Sequence, residues 1–204
     1  MTDPVLRLDA TIDAIAAHVV DRIVPHARPA IALTGGGTPV LILEELARRP
    51  LRWGSVEITL VDDRLVEPSH PASNLGLLTR LLGPTGAQIR PLAEGPIDRL
   101  FDLVWCGMGA DGHVASIFPQ PPLSDDAPPA VIRIVPDPLP PSAPYPRLTL
   151  NMAALTRTRE LLIVVAGEDK RRMIDRALEG DLTLPVGRLI ARADCPITIF
   201  WSAR

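Results

Sequence analysis

The sequence has few of the features that mark secreted, membrane-inserted or redox-active proteins. Its 204 residues include two cysteines, Cys106 and Cys195, which lie in separate apolar runs and form no Cys-x-x-Cys pair. We therefore expect buried, reduced thiols and no disulfide. No run approaches the roughly 18 uncharged apolar residues of a spanning helix, and the first ten residues carry acids where a secretory signal carries bases. We expect a cytoplasmic protein.

Positive charge is not in excess, and lysine is almost missing. The chain has 21 Lys and Arg against 24 Asp and Glu, which gives a net charge of -3 at pH 7. Because nucleic acids and anionic membranes are bound by surplus cations, neither is an expected partner. All but one of the basic residues are arginine, and Lys170 is the single lysine. A compact ammonium is therefore a candidate for a specific task at that position.

The composition, 47% hydrophobic and 22% charged, is that of a folded globular protein, and the length fits one domain spanning 1–204. Short apolar runs bounded by Gly, Pro or Asp predict strands buried on both faces, as in a parallel sheet. Helical spacing predicts an opening helix within 5–24, ended by Pro25, and three later helices. The alternation indicates an α/β fold with its ligand site at the carboxyl ends of the strands. The predicted strands are 30–34, 56–61, 102–106, 131–135, 147–151, 161–166 and 196–201, and the later helices are 40–48, 75–82 and 170–179.

Proline is concentrated in one segment, 119–146, where it occupies eleven of twenty-eight positions. Proline lacks the backbone N–H that helices and strands need, so this segment predicts a surface excursion interrupted by the strand at 131–135. It could also serve as a lid.

The first candidate motif is Thr34-Gly35-Gly36-Gly37-Thr38-Pro39, between a predicted strand and a predicted helix. Glycines let backbone approach a ligand closely, and free amides at a helix start bind anions, so a phosphate would fit. A tight strand-to-helix turn would use the same residues. The spacing matches neither a dinucleotide fingerprint nor a P-loop.

The second candidate motif is Asp62-Asp63-Arg64, which follows a predicted strand. The arginine could present its guanidinium to a phosphate while the carboxylates hold it or a sugar hydroxyl. A salt-bridged loop would give the same pattern and is the commoner structure. His70, between Ser69 and Pro71, is interpreted as a turn residue.

The third candidate motif is the glycine-rich turn 107–112, which leads into His113. Imidazole can accept a proton near neutral pH, so a histidine at the end of a central strand is a better general base than His18 or His26 near the opening helix. We expect His113 to open a short helix with Ala115 and Ser116. A histidine that merely caps this helix is the alternative, and no His or Cys spacing favours a metal site.

Together the three motifs resemble those of the 6-phosphogluconolactonase family. The resemblance covers most of the chain, in the order of the family. Its most specific part is the run from Gly107 to His113 that continues into the residues at 115–119. It also includes Pro68, His70, Ser73 and Asn74 after the second motif, the residues at 147–150, and the run 167–170 that ends in Lys170.

The resemblance implies a Rossmann-like doubly wound fold, with a mainly parallel sheet, helices on both faces, no cofactor and no obligatory metal. The implied reaction is the hydrolysis of 6-phospho-D-glucono-1,5-lactone to 6-phosphogluconate in the oxidative pentose phosphate pathway. The expected partner is this small phosphorylated lactone, and the expected assembly is a monomer or weak dimer. The implied site consists of His113 as base, of Gly36, Gly37, Thr38, Arg64 and Lys170 around the 6-phosphate, of Asp62 orienting Arg64 or a substrate hydroxyl, and of Arg147 as a further binding residue.

Two departures and two alternatives accompany this interpretation. Asp63 stands where the family usually has Glu, and Asn151 where it more often has a hydroxyl residue. A glucosamine 6-phosphate isomerase/deaminase would carry a Phe-Asn-Glu element after the histidine, which this chain lacks. A non-catalytic sugar-phosphate sensor would need a DNA-reading module, and only one helix is predicted ahead of the strand at Ala30.

Overall fold

The computed structural model describes residues 3–119, 126–139 and 144–203. The strands are β1 (Val5–Arg7), β2 (Ala30–Leu33), β3 (Glu57–Leu60), β4 (Asp62–Arg64), β5 (Gln88–Ile89), β6 (Gly95–Pro96), β7 (Leu103–Cys106), β8 (Ala130–Ile134), β9 (Arg147–Leu150), β10 (Leu161–Ala166) and β11 (Ile197–Ser202). The α-helices are α1 (Ile12–Ile23), α2 (Val40–Ala47), α3 (Asn74–Leu82), α4 (Met152–Leu155), α5 (Glu168–Leu178) and α6 (Pro185–Arg192).

Seven strands form one parallel sheet in the order β1-β11-β10-β7-β2-β3-β5. From β2 the chain moves outward through β3 to β5, and β7 then returns to the other side of β2, followed by β10 and β11. The strand order therefore reverses between β2 and β7. In open α/β sheets the crevice at such a reversal is the usual place for a ligand.

Successive side chains of the central strands point to opposite faces of this sheet. In β7, Leu103 and Trp105 pack among α1, α2 and α3, whereas Val104 and Cys106 pack on the face covered by α4, α5 and α6. Each face has its own buried apolar cluster, as continuous apolar strands require. The doubly wound, mainly parallel fold with helices on both faces is confirmed.

Two of the predicted strands belong to a second sheet. β4, β9, β8 and β6 form a four-stranded antiparallel sheet, so the prediction that 131–135 and 147–151 join the parallel sheet was wrong. The physical reason is visible in β8, which exposes Arg133 between less exposed neighbours and so is not buried on both faces. The chain passes from the first sheet to the second at Val61, whose carbonyl accepts a hydrogen bond from Leu150 N.

Two further differences concern helices and the amino terminus. The opening helix begins only at Ile12, because Thr11 caps it by accepting a hydrogen bond from Ala14 N, and β1 pairs with β11 at the edge of the sheet. Sequence reasoning also missed α6, although Pro185 at its start is a typical first residue of a helix.

Both cysteines are free and buried. Within the described ranges no helix is long and apolar enough to cross a membrane. The prediction of a surface excursion or lid at 119–146 falls in part on residues 120–125 and 140–143, which lie outside the described residues. The strand predicted inside that segment is present as β8.

A buried ionic cluster joins α1 to the amino ends of β10 and β11. The Glu160 carboxylate, 5% exposed, lies 2.6 Å from His18 Nε2 and accepts hydrogen bonds from Thr198 Oγ1 and Arg22 Nε. Burial alone would raise the pKa of Glu160, but the hydrogen bonds from these three side chains outweigh it and lower the pKa.

We expect Glu160→Gln to lower the free energy of unfolding by about 2 kcal/mol at neutral pH, because it removes the charge that these donors stabilise. A lowered pKa in the folded state means that this contribution is present above the ordinary glutamate pKa and is lost as the pH falls through the lower, folded value. Urea unfolding of both proteins at pH 7 and at a series of pH values from 5 downward measures both effects. A variant as stable as the wild type at pH 7 would contradict the prediction.

Candidate active site

A cavity of about 230 Å³ opens at the carboxyl ends of the four central strands β10, β7, β2 and β3. It lies at the strand reversal and is lined by the loops that follow these strands. All eight residues singled out from the sequence line it, although their roles stay predictions at this point. They are Gly36, Gly37, Thr38, Asp62, Arg64, His113, Arg147 and Lys170.

The glycine-rich turn after β7 presents His113 to the cavity. Gly109 N donates to the carbonyl of His113, and a Cβ at Gly109 would lie 2.2 Å from the imidazole Cε1 and Nδ1. The histidine ring therefore occupies space that only glycine leaves free at this position. The predicted helix from His113 to Ser116 was wrong, because Val114 instead forms isolated bridges with Met108 and Ile117, and Ala115 adopts a positive φ of 49°.

Asp111 fixes the orientation of His113. Its Oδ1 lies 2.6 Å from His113 Nδ1 and also accepts the backbone N–H of His113 at 3.1 Å. The hydrogen bond with the imidazole lowers the pKa of Asp111, so this carboxylate is ionised at neutral pH and can only accept. The Nδ1 atom must then carry the proton, which leaves Nε2 as the proton acceptor.

If His113 acts as the predicted general base, we expect Asp111→Asn to lower kcat for hydrolysis of the phosphorylated lactone about tenfold with little change in KM. The amide can present an N–H to Nδ1, which would favour the tautomer with its proton on Nε2, and the charge-assisted bond is lost. The effect is modest because the Asp111 side chain is half exposed. Steady-state kinetics across pH 6–8 measure it, and an unchanged kcat would show that Asp111 does not orient the base.

Two arginines face each other across the start of the second sheet. Arg64 of β4 stands directly opposite Arg147 of β9 in the antiparallel register, an arrangement that costs free energy for like charges. Arg147 is buried, and its Nη1 lies 3.4 Å from Ser116 Oγ and 3.9 Å from Asp62 Oδ2. Burial lowers the pKa of Arg147, Asp62 acts in the opposite direction, and Arg64 lowers it further. An anion between the guanidinium groups would relieve this repulsion.

The carboxylate of Asp62 contacts Arg147 and Ser116. Ser116 donates its hydroxyl to Asp62 Oδ2 at 2.5 Å, and both side chains are buried. Asn74 lies between Asp62 and Arg64 and contacts both, and the prediction that Asp62 orients Arg64 or a substrate hydroxyl stays a prediction. Asn74 Nδ2 donates to the Asp62 carbonyl at 3.0 Å, and its Oδ1 accepts from Arg64 Nη1 at 3.4 Å.

Arg64 has no carboxylate partner within the described ranges. Its Nη1 donates to the Ala72 carbonyl at 2.8 Å. The salt-bridged loop considered from the sequence is not what forms, because 62–64 is a strand and Asp63 accepts the backbone N–H groups of Arg64, Asn74 and Leu75. Burial raises the pKa of Asp63, and these three hydrogen bonds oppose the increase. His70 closes a turn, as expected, by accepting from Ala72 N.

Lys170 and the triple-glycine loop form the remaining wall. Lys170 lies in the first turn of α5, and partial burial lowers its pKa. Among the residues that the structure describes, its ammonium has no hydrogen bond or ion pair. The loop 34–38 leads into α2, and Pro39 occupies the cap position. Free backbone amides and an unpaired ammonium are both suited to an anion.

Sequence reasoning missed several residues of the cavity. Asn74 lines the cavity, whereas Asp111 and Ser116 lie behind it and contact the lining residues His113 and Asp62. Nothing in the spacing of these three residues along the chain shows these contacts. Trp105 and Val164 form an apolar part of the lining. No group of three or more His, Cys, Asp or Glu side chains able to hold a metal occurs in the described parts of the chain.

Comparison with known proteins adds independent observations. A family model for glucosamine-6-phosphate isomerases/6-phosphogluconolactonase matches residues 3–98 and 85–200. A 6-phosphogluconolactonase of Caulobacter vibrioides is 32% identical, with 95% of this chain and 92% of the relative covered. One of Mesorhizobium japonicum is 33% identical, with 93% and 90% covered. The crystal structure of a 6-phosphogluconolactonase from Shewanella baltica has a TM-score of 0.81 at 26% identity and covers 99% of both chains.

Proposed function

We propose that this chain, which belongs to the glucosamine-6-phosphate isomerase/6-phosphogluconolactonase family, hydrolyses 6-phospho-D-glucono-1,5-lactone to 6-phosphogluconate. This is the carboxylic ester hydrolysis of the oxidative pentose phosphate pathway, and the relatives described above carry its name. The substrate is a small phosphorylated sugar lactone. A cytoplasmic location and a monomer or weak dimer stay predictions.

The observation that carries the proposal is the charge of the cavity beside an oriented histidine. In the part of the chain that the structure describes, Arg64, Arg147 and Lys170 line it together with one carboxylate, that of Asp62. A surplus of positive charge in a chain that is acidic overall favours an anionic ligand. We assign Arg64, Lys170 and the loop residues Gly36, Gly37 and Thr38 to the 6-phosphate, Asp62 to a sugar hydroxyl or to the arginines, and Arg147 to the remaining oxygens.

In the proposed mechanism His113 Nε2 accepts a proton from a water molecule as the water oxygen attacks the lactone carbonyl carbon. The resulting oxyanion is stabilised by backbone N–H groups of the glycine-rich loops or by an arginine. The bond from that carbon to the ring oxygen then breaks, and the imidazolium returns its proton to the ring oxygen as it becomes a hydroxyl group. The acid product ionises to 6-phosphogluconate. Water is the only co-reactant.

Hydrolysis of the phosphorylated lactone and of glucono-1,5-lactone, measured side by side after subtraction of the uncatalysed rate, tests the proposal. We expect kcat/KM to be higher for the phosphorylated lactone by at least tenfold, because the cationic residues bind its phosphate. Equal turnover of the two lactones would contradict the phosphate assignment, and no turnover of either would contradict the activity.

Two outcomes would favour the alternatives. Ammonia released from glucosamine 6-phosphate would indicate the isomerase/deaminase activity, for which the chain lacks the carboxylate element expected after the histidine. Tight binding of 6-phosphogluconate in calorimetry without lactone hydrolysis would indicate a sensor.

A further inference from the structure

Asn74 contacts three residues that line the cavity, namely Asp62, Arg64 and Gly35. It is the first residue of α3, its side chain lines the cavity, and it is only 4% exposed. Its Nδ2 donates to the carbonyl of Asp62 at 3.0 Å and lies 3.5 Å from the Asp62 carboxylate, while its Oδ1 accepts from Arg64 Nη1 at 3.4 Å. One buried amide thus bridges a carboxylate and a guanidinium.

The same side chain supports the triple-glycine loop. A Cβ placed on Gly35 would lie 2.1 Å from Asn74 Oδ1 and 2.2 Å from Asn74 Cγ, so the loop backbone rests directly on the amide. Any side chain at position 35 would have to displace either the loop or Asn74. The position of the loop amides is therefore coupled to Asn74 by direct packing.

The backbone around Asn74 is fixed independently of its side chain. Asn74 N donates to Asp63 Oδ1 at 2.7 Å, Leu75 N donates to Asp63 Oδ2, and Ser73 caps the helix by accepting from Gly76 N. Because these bonds hold the helix start, the Asn74 amide is free for the cavity. A purely structural role in the helix cap is already filled by Ser73 and Asp63.

We propose that Asn74 is a positioning residue for anion binding, which holds Arg64 and Asp62 in fixed positions relative to the glycine loop. Asn74 acts through these groups rather than by chemistry on the lactone. The neutral amide suits this position because it can donate to Asp62 and accept from Arg64 at the same time. An aspartate would add a negative charge beside Asp62 and neutralise Arg64, which must stay available for a phosphate.

The test compares Asn74→Ala and Asn74→Asp with the wild type in two measurements. We expect Asn74→Ala to raise KM for the phosphorylated lactone about tenfold with kcat within twofold, and to weaken the binding of inorganic phosphate by a similar factor. Asn74→Asp should raise KM further and weaken phosphate binding further, because its negative charge reduces the net positive charge of the cavity. The kinetic measurement rests on the proposed function, whereas phosphate binding by calorimetry does not. If the protein proved to have no lactonase activity, the calorimetry would still test whether Asn74 supports anion binding.

Asn151 provides a matched control. It is the other asparagine of the chain, is equally buried at 4% exposure, and caps α4 by accepting from Ala154 N, but it does not line the cavity. We expect Asn151→Ala to lower thermal stability and to leave phosphate affinity unchanged. Equal losses of affinity in the Asn74 and Asn151 variants would overturn the proposal, as would wild-type phosphate binding by Asn74→Ala.

Gly35→Ala tests the packing contact between the glycine loop and the Asn74 side chain. It also provides the test of the proposal if Asn74→Ala does not fold. We expect it to weaken phosphate binding about tenfold on its own, because the new methyl group displaces the loop or the amide. In an Asn74→Gly background, which removes the opposing side chain, the same change should have at most a threefold effect. Strictly additive effects of the two substitutions would contradict the coupling.

Discussion

Replacement of His113 by alanine is expected to lower kcat for the phosphorylated lactone by about 10²–10⁴-fold with little change in KM, because general-base catalysis contributes a factor of that size. The imidazole faces the cavity with Nε2 as its acceptor, since Asp111 holds the proton on Nδ1. The phosphate-binding residues are untouched by the change, so ground-state binding should persist. The measurement is the initial rate of lactone hydrolysis after subtraction of the uncatalysed reaction.

His26→Ala is the matched control for this prediction. His26 lies beyond the end of α1, at the opposite end of the parallel sheet, where it pairs with Asp102 at 3.3 Å. We expect this variant to keep the wild-type kcat and KM. Binding of 6-phosphogluconate to His113→Ala, measured by calorimetry, shows whether its site is intact. A His113→Ala protein that binds the product normally and hydrolyses the lactone at the wild-type rate would refute the assignment of the base.

Much of the fold follows from short-range pattern. The runs that became β2, β7 and β10 are apolar at every position, as is typical of strands buried on both faces of a sheet. The runs that became β3 and β11 are mainly apolar but include polar residues. The glycine-rich turns after β2 and β7 mark the places where backbone must lie open at the carboxyl ends of these strands. The location of the cavity could therefore be predicted from the sequence. The family resemblance then indicated which reaction and which substrate to expect there.

The second sheet could not be predicted in the same way. The register of β4 against β9 depends on the turn of the chain at Val61, and it alone places Arg64 opposite Arg147. These residues are 83 positions apart, so no local spacing encodes their contact. The same holds for the hydrogen bond between Ser116 and Asp62, and for the packing of Asn74 under Gly35. Such polar contacts depend on the tertiary structure, whereas the strands follow from the local pattern of apolar residues.

Replacement of Arg64 by alanine is expected to raise KM for the phosphorylated lactone by about one to two orders of magnitude, since a charge-assisted hydrogen bond contributes roughly 1.5–3 kcal/mol. The guanidinium has no carboxylate partner in the described ranges, so the substitution leaves no acid of the cavity unpaired. The expected change in KM for glucono-1,5-lactone is small, because that lactone carries no phosphate for Arg64 to bind. Steady-state kinetics on the two lactones measure the difference directly.

Two comparisons separate the loss of charge from the loss of geometry. Arg64→Lys keeps a positive charge but not the planar fork that holds the Ala72 carbonyl and can bind two phosphate oxygens, so its KM should fall between those of the wild type and Arg64→Ala. Arg133→Ala removes an exposed arginine of β8 outside the cavity and should leave KM unchanged. If Arg64→Ala raised KM equally for both lactones, Arg64 would bind the sugar ring rather than the phosphate, and Lys170 with the glycine loop would have to bind the phosphate without it.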